Sequence, residues 1–122
     1  MASTPCASKA VTTARTALLA SQGNPDVLFF REGGRIEPFN YTVPYPQPYV
    51  PRALTFEVPG RIAADGSAIA PLDEAEVRAI AARLRALKVE AVAVSLLWSI
   101  ANPAHELRVG EILAEELPDV PV

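Results

Sequence analysis

Chemistry-bearing side chains are scarce in this sequence. One cysteine, Cys6, and one histidine, His105, serve all 122 residues. A lone cysteine excludes an intrachain disulfide and a thiolate zinc cluster. Cys6 lies far from His105 in sequence and reads as an incidental thiol near a loose terminus, not as half of a Cys–His catalytic pair. No apolar run reaches the ~18 residues of a membrane span. Residues 1–10 hold no apolar stretch of the secretory kind, so the cytoplasm is the expected location. Positive charge is not in excess either. Eleven Lys and Arg against fourteen Asp and Glu leave a formal charge of −3, which argues against nucleic acid or membrane as a partner. Also missing is a strand that leads into a glycine-rich phosphate loop.

What remains is ordinary globular composition, half apolar and one-fifth charged, enough for one domain. Ala14–Ala20 reads as a short strand with Ala17–Ala20 as a buried run. Asn24 as N-cap and Pro25 at the first helical position predict a short helix over Val27–Phe30, ended by Arg31-Glu32-Gly33-Gly34. From Pro38 to Pro51 five prolines fall in fourteen residues, interleaved with Tyr41, Tyr45 and Tyr49. Proline removes a donor and fixes φ, so this is an extended crossing segment. It is either a recognition arm for a partner or, the reading preferred here, a loop whose tyrosines pack on the domain's own surface.

Leu54–Val58 alternates apolar and polar residues as a half-buried strand does. Ile62 and Ala68–Ala70 then flank Asp65-Gly66, a type I′ turn signal, which predicts a β-hairpin. Asp73 as N-cap with Glu76 three residues on resembles a capping box. Val77, Ile80, Ala81, Leu84 and Leu87 form one helical face. Arg78, Arg83, Arg85 and Lys88 occupy the others, where a solvated surface is a more ordinary meaning than a phosphate site. Ala91–Trp98 is apolar almost throughout, as in a strand buried on both faces of a parallel sheet. Asn102 caps a last helix with Pro103 at N1, in which Val109, Ile112, Leu113 and Leu117 point inward and Glu106, Glu111, Glu115 and Glu116 outward. The order hairpin–helix–strand–helix is an α/β arrangement with a βαβ-type unit. Both ends read as cut from a larger α/β protein. Such a chain is expected to expose apolar strand surface and to associate.

From about Thr13 to Val122 the sequence resembles the N-terminal region of the hydantoinase A/oxoprolinase family, which includes N-methylhydantoinases, 5-oxoprolinases and the ATP-using subunits of acetone and acetophenone carboxylases. The blocks that carry the likeness are Ala14-Arg-Thr-Ala-Leu-Leu-Ala, Asp26-Val-Leu-Phe-Phe-Arg-Glu-Gly-Gly, Tyr49-Val-Pro-Arg-Ala-Leu-Thr-Phe-Glu-Val-Pro, Pro71-Leu-Asp-Glu-Ala-Glu-Val-Arg, Val89-Glu-Ala-Val-Ala-Val-Ser-Leu-Leu-Trp-Ser and Asn102-Pro-Ala-His-Glu-Leu-Arg-Val. The resemblance implies a partial actin-like, ribonuclease-H-like domain over 14–122, with residues 1–13 a disordered or remnant segment and 38–51 the Pro/Tyr arm. It implies ATP and Mg²⁺ as cofactors, used to phosphorylate an amide or ketone oxygen. A small-molecule substrate and the remainder of the enzyme, or a partner subunit, follow from the same likeness.

The family's N-terminal phosphate loop is absent here, and its His-Gly-Thr-Thr-like segment corresponds at best to Val11-Thr12-Thr13. Thr12 and Thr13 are thus either relics of a nucleotide loop or a polar entry to a strand. Arg31, Glu32, Gly33 and Gly34 are the candidates for a substrate-proximal surface, since paired glycines let backbone approach a ligand and Arg grips carboxylate or phosphate. The alternative is simple helix termination. His105-Glu106 suggests acid/base chemistry, although a carboxylate favouring the helix dipole is the commoner use of that position. No catalytic residue and no metal ligand is assigned. The expectation is a catalytically incomplete piece of an ATP-dependent hydantoinase/oxoprolinase-type enzyme. A non-catalytic α/β assembly or binding module of the same descent is the alternative, and a nonfunctional truncated product the third possibility.

Overall fold

The apolar run Ala17–Ala20 finds the most sheltered place available, the middle of a parallel sheet. In the computed structural model, which describes residues 14–30, 37, 39–44 and 47–122, Thr16–Ser21 is strand β1. It pairs on one side with β2 (Thr55–Val58) and on the other with β5 (Ala91–Ser95). All three run the same way, in the order β2-β1-β5. Ala17, Leu18, Leu19 and Ala20 are at most 5% exposed. Their backbone donors and acceptors are paired on both sides, as burial demands.

Between β2 and the first helix lies the hairpin β3 (Arg61–Ile62) and β4 (Ala68–Ala70), antiparallel as the turn chemistry predicts. The turn itself is different. Type I′ needs positive φ at both central residues, and only Gly66 has it, at +89°. Gly66 N–H donates to Ala63 O at 2.9 Å and Ala63 N–H to Ser67 O at 2.8 Å, a tight turn followed by a glycine bulge. Asp65 Oδ1 accepts from both Ser67 N–H and Ser67 Oγ–H, which keeps Asp65 right-handed and holds its carboxyl below the usual carboxylate range.

Helix α1 (Glu74–Ala86) starts where its capping residue places it: Asp73 Oδ1 accepts Glu76 N–H at 3.1 Å. The reciprocal half of a capping box does not form. Asp73 N–H donates to Pro59 O instead, and the Glu76 carboxylate turns to Arg83 at 3.6 Å. Val77, Ile80, Ala81 and Leu84 are buried, while Leu87 is half-buried. The far end closes with Lys88 at φ +55°, Lys88 N–H to Arg85 O at 3.1 Å and Val89 N–H to Leu84 O at 3.3 Å. That is the Schellman arrangement, with a lysine where glycine is usual.

Helix α2 (Ala104–Glu116) packs beside α1; α1 also meets β2, and α2 meets β5. Asn102 caps it as expected, its Oδ1 accepting Ala104 N–H at 3.0 Å, although the first helical turn closes on Pro103 O. The outward basic and acidic residues do not simply face water. Arg78 binds Glu116 at 2.6 Å and Glu115 at 2.9 Å, and Arg85 reaches Glu116. Arg108 grips Glu74 through two nitrogens at 2.7 and 3.1 Å and Glu111 at 2.8 Å. These pairs tie the two helices together and occupy the arginines that a phosphate would otherwise need.

The hydrogen bond from Arg108 holds the Glu74 carboxyl below the usual carboxylate range. Its contribution is therefore complete above the unfolded value near ~4.3 and fades as pH falls through the depressed folded one. The pair is well exposed, so the effect is small and salt-sensitive. Acid titration of the urea midpoint at low salt is expected to fall less steeply for Glu74→Gln than for the unaltered chain. Superimposable profiles would show that the pair contributes nothing.

Three further expectations are corrected. Val27–Phe30 is not a helix but a succession of turns, with Phe29 N–H donating to Asp26 O at 2.9 Å; four apolar residues cannot nucleate one. Residues 39–43 of the Pro/Tyr arm are turned, not extended. Asn40 N–H donates to Glu37 O, and Asn40 Oδ1 accepts from Thr42. Tyr49 stands 98% exposed, so it does not pack on the domain's surface, and Tyr41 is 77% exposed; Tyr45 lies outside the described residues. Finally, Ala91–Ser95 is an edge strand among the described residues, with Ala93 and Ser95 exposed. Only Val92 N–H on its outer side is met, by Pro121 O at 3.0 Å.

Candidate functional site

Because β1, β2 and β5 are parallel, their carboxyl ends lie along one margin of the sheet, where open α/β sheets place ligands. Ser21 and Val58 end two of these strands, and Leu96, Leu97 and Ser99 follow the third. The start of α2 closes the space with Asn102, His105 and Glu106, while Gly60, Ile62 and Leu72 floor it. The result is a narrow cleft with room for about one water molecule.

Its walls are fixed by specific contacts. Ser21 Oγ accepts Leu97 N–H at 2.8 Å, anchoring the segment after β5 to the end of β1. Asn102 Nδ2 donates to Gly66 O at 2.8 Å, so the residue that caps α2 also holds the hairpin loop. Gly60 has φ +135°, and a Cβ there would lie 3.1 Å from Leu72 Cα and 3.4 Å from His105 Nδ1. The chain passes so close to the Pro71–Leu72 backbone that only glycine fits without strain. Trp98, between two cleft residues, is left-handed at φ +62°, a conformation that costs a non-glycine residue about 1–2 kcal/mol.

One atom of a residue that lines the cleft is unsatisfied. Glu106 Oε2 is shielded from solvent and has no hydrogen-bond partner among the described residues. The expectation that Glu106 faces water is thereby corrected. His105 and Glu106, adjacent in sequence, are both brought to the cleft. Asp73 and Glu76 are absorbed by capping and an ion pair. Thr12, Thr13, Arg31, Glu32, Gly33 and Gly34 lie outside the described residues. Ser21, Gly60, Ser99 and Asn102 were not singled out as site residues from sequence. Pro59-Gly60 directly after a strand was the available signal for one of them. Among the described residues no group of three or more His, Cys, Asp and Glu is placed to hold a metal. No helix there is long and apolar enough to cross a membrane.

Residues 6–117 match the hydantoinase/oxoprolinase N-terminal region. The chain belongs to this family. Its relatives within the family include the caprolactamase subunit alpha of Pseudomonas jessenii, 40% identical over 111 residues, covering 89% of this chain and 16% of the relative. The acetophenone carboxylase gamma subunit of Aromatoleum aromaticum is 39% identical over 110 residues, covering 84% of this chain and 15% of the relative. The crystal structure of the ATP-dependent caprolactamase from Pseudomonas jessenii superposes with a TM-score of 0.75 at 38% identity, over 89% of this chain and 16% of that one. The mixed α/β architecture with a parallel sheet and two helices is thus shared with a hydantoinase/oxoprolinase-family enzyme. The chain spans about one-sixth of the length of these relatives.

Proposed function

We propose that this chain supplies the N-terminal region of an ATP-dependent enzyme that activates a carbonyl by phosphorylation, for opening of a cyclic amide or carboxylation of a ketone, and that it performs neither reaction alone. The observation that carries this reading is the family match over residues 6–117 together with the structural likeness to an ATP-dependent caprolactamase. Phosphorylation turns an amide or ketone oxygen into a better-activated group, and its transition state needs positioned donors and a cation.

In this reading residues 14–122 form a partial actin-like, ribonuclease-H-like domain that follows a remnant segment at 1–13. Thr12 and Thr13 are the residues offered to nucleotide, and Arg31–Gly34 those nearest the substrate, with Mg²⁺ accompanying ATP. The cleft at the strand ends does not itself fit a nucleotide. It has room for about one water, and Glu106 would oppose a polyphosphate. No step is routed through it. The partner required is the remainder of the enzyme or another subunit. The relatives named above are themselves called subunits.

Calorimetric titration with Mg²⁺-ATP is the direct test. The 122-residue chain is expected to show no saturable binding up to ~1 mM, a free energy weaker than about −4 kcal/mol. Micromolar binding would overturn the proposal that this chain does not engage nucleotide alone. A second reading, a non-catalytic assembly module, is favoured by Phe39 and Tyr49 standing 90% and 98% exposed, as aromatic anchors for a partner do.

A further inference from the structure

We propose that Asp65 is the residue at which this chain ages, by isoaspartate formation at Asp65-Gly66, and that Ser67 holds the reaction back while the hairpin is folded. Of the four aspartates and three asparagines in the sequence, Asp65 alone is followed by glycine. Glycine leaves the attacking nitrogen unhindered, for want of a side chain. The step joins Gly66 N to Asp65 Cγ. A C–O bond of the neutral carboxyl group breaks, and its hydroxyl leaves as water with the amide proton. Water then reopens the succinimide ring. Attack at the α-carbonyl leaves the main chain running through Asp65 Cγ, one methylene longer, with no net change in composition.

Both reacting groups are engaged in the fold. Gly66 N–H donates to Ala63 O at 2.9 Å, and Gly66 O accepts from Asn102 Nδ2 at 2.8 Å, so the glycine is held on both sides. Asp65 Oδ1 accepts Ser67 N–H at 2.9 Å and Ser67 Oγ–H at 2.6 Å. Donors placed in this way favour the ionised carboxylate, which an amide nitrogen does not attack, over the neutral acid, which it does. Access of water is not the restraint, because Asp65 and Ser67 are both exposed. The product also fits badly. An extra methylene between Asp65 and Gly66 would shift Ser67 away from Ala63 and carry Gly66 O away from Asn102, which ties the hairpin loop to the start of α2.

The unaltered chain and Ser67→Ala are each incubated at neutral pH, folded in buffer and unfolded in guanidinium chloride, and isoaspartate is located by peptide mapping. In denaturant the two chains should isomerise at one rate, at Asp65 first. Folded, the unaltered chain should be slower by at least roughly tenfold, the rate equivalent of one hydrogen bond to a charged group. Folded Ser67→Ala should recover much of that difference, and Ser67→Thr, which restores a hydroxyl, should be slow again. Equal rates for the unaltered chain, folded and unfolded, would overturn the proposal without reference to any variant. So would a folded Ser67→Ala chain as slow as the unaltered one, or isoaspartate that accumulates first at another residue.

Discussion

Leu19→Ala is expected to lower the unfolding free energy by about 3–5 kcal/mol, the upper part of the range for a leucine removed from a core. Leu19 has no exposed surface and sits mid-strand in β1, opposite Phe56 on one side and Val94 on the other. Residues opposite one another in paired strands share a face of the sheet, so the side chain is surrounded by Phe56, Val94 and the helices above. The backbone at this position is held by ladders on both sides and cannot sink into the void. Collapse is thus limited, and the cavity term stays large. A chain of this size has a total stability of order 5–15 kcal/mol, so the loss is a large fraction of it. Urea denaturation measures it directly. Leu107→Ala, at a position exposed on α2, should change stability by less than about 0.5 kcal/mol. A cost for Leu19→Ala below about 1 kcal/mol would contradict the placement of β1 at the centre of the core.

Gly60→Ala should be nearly as damaging, for an unrelated reason. At φ +135° the backbone is in a region that side chains avoid. The added Cβ would also lie 3.1 Å from Leu72 Cα and 3.3 Å from Pro71 O, both backbone atoms. Backbone strain of this kind costs about 1–3 kcal/mol, and the close approach adds to it because main chain cannot rotate away as a side-chain tip can. A total of about 3 kcal/mol is expected. Gly23→Ala separates the two contributions. Gly23 also has positive φ, +91°, but a Cβ there meets nothing within 4 Å, so only strain remains. Equal losses at both positions would show that the approach of Pro71 and Leu72 to Gly60 is unimportant.

The parts of the fold that the sequence made legible are those in which local chemistry and tertiary packing agree. Asp73 and the spacing of Val77, Ile80, Ala81 and Leu84 define α1 because cap and stripe are local signals, and the buried residues are those the stripe names. Ala17–Ala20 stood out as a buried run and occupies the central strand. Ala91–Trp98 has the same continuous apolar pattern, yet the strand there stops at Ser95 and lies at an edge among the described residues. Hydrophobicity records that a strand meets the core, but not how many neighbours it has. Val27–Phe30 misled because a proper cap and first-position proline preceded too few residues for a helix. Asp65-Gly66 marked the right hairpin with the wrong turn, since Ser67 bonds back to Asp65 and stabilises the alternative.

The candidate site was harder to read for a physical reason. Its members come from the ends of three strands and the start of a helix, and only topology joins Ser21 to Leu97 or Gly60 to His105. His105 and Glu106 drew notice because they are rare chemistry side by side. Their surroundings, and the absence of a donor for Glu106, are properties of the fold and have no trace in the local sequence.

The position of β1 has a consequence for how the chain is made. The strand is synthesised first among the elements described, but its neighbours on the two sides are not yet in existence when it emerges. The pairing of Leu18 with Thr55 requires synthesis to have passed residue 55, and that of Ala17 with Val92 to have passed residue 92. Closure of both sides therefore joins residues remote in sequence, which slows folding relative to a helical bundle of the same size. Throughout that interval the most deeply buried strand among the described residues has open edges, and the nascent chain passes through a window in which Ala17–Ala20 are a segment a holding chaperone would meet.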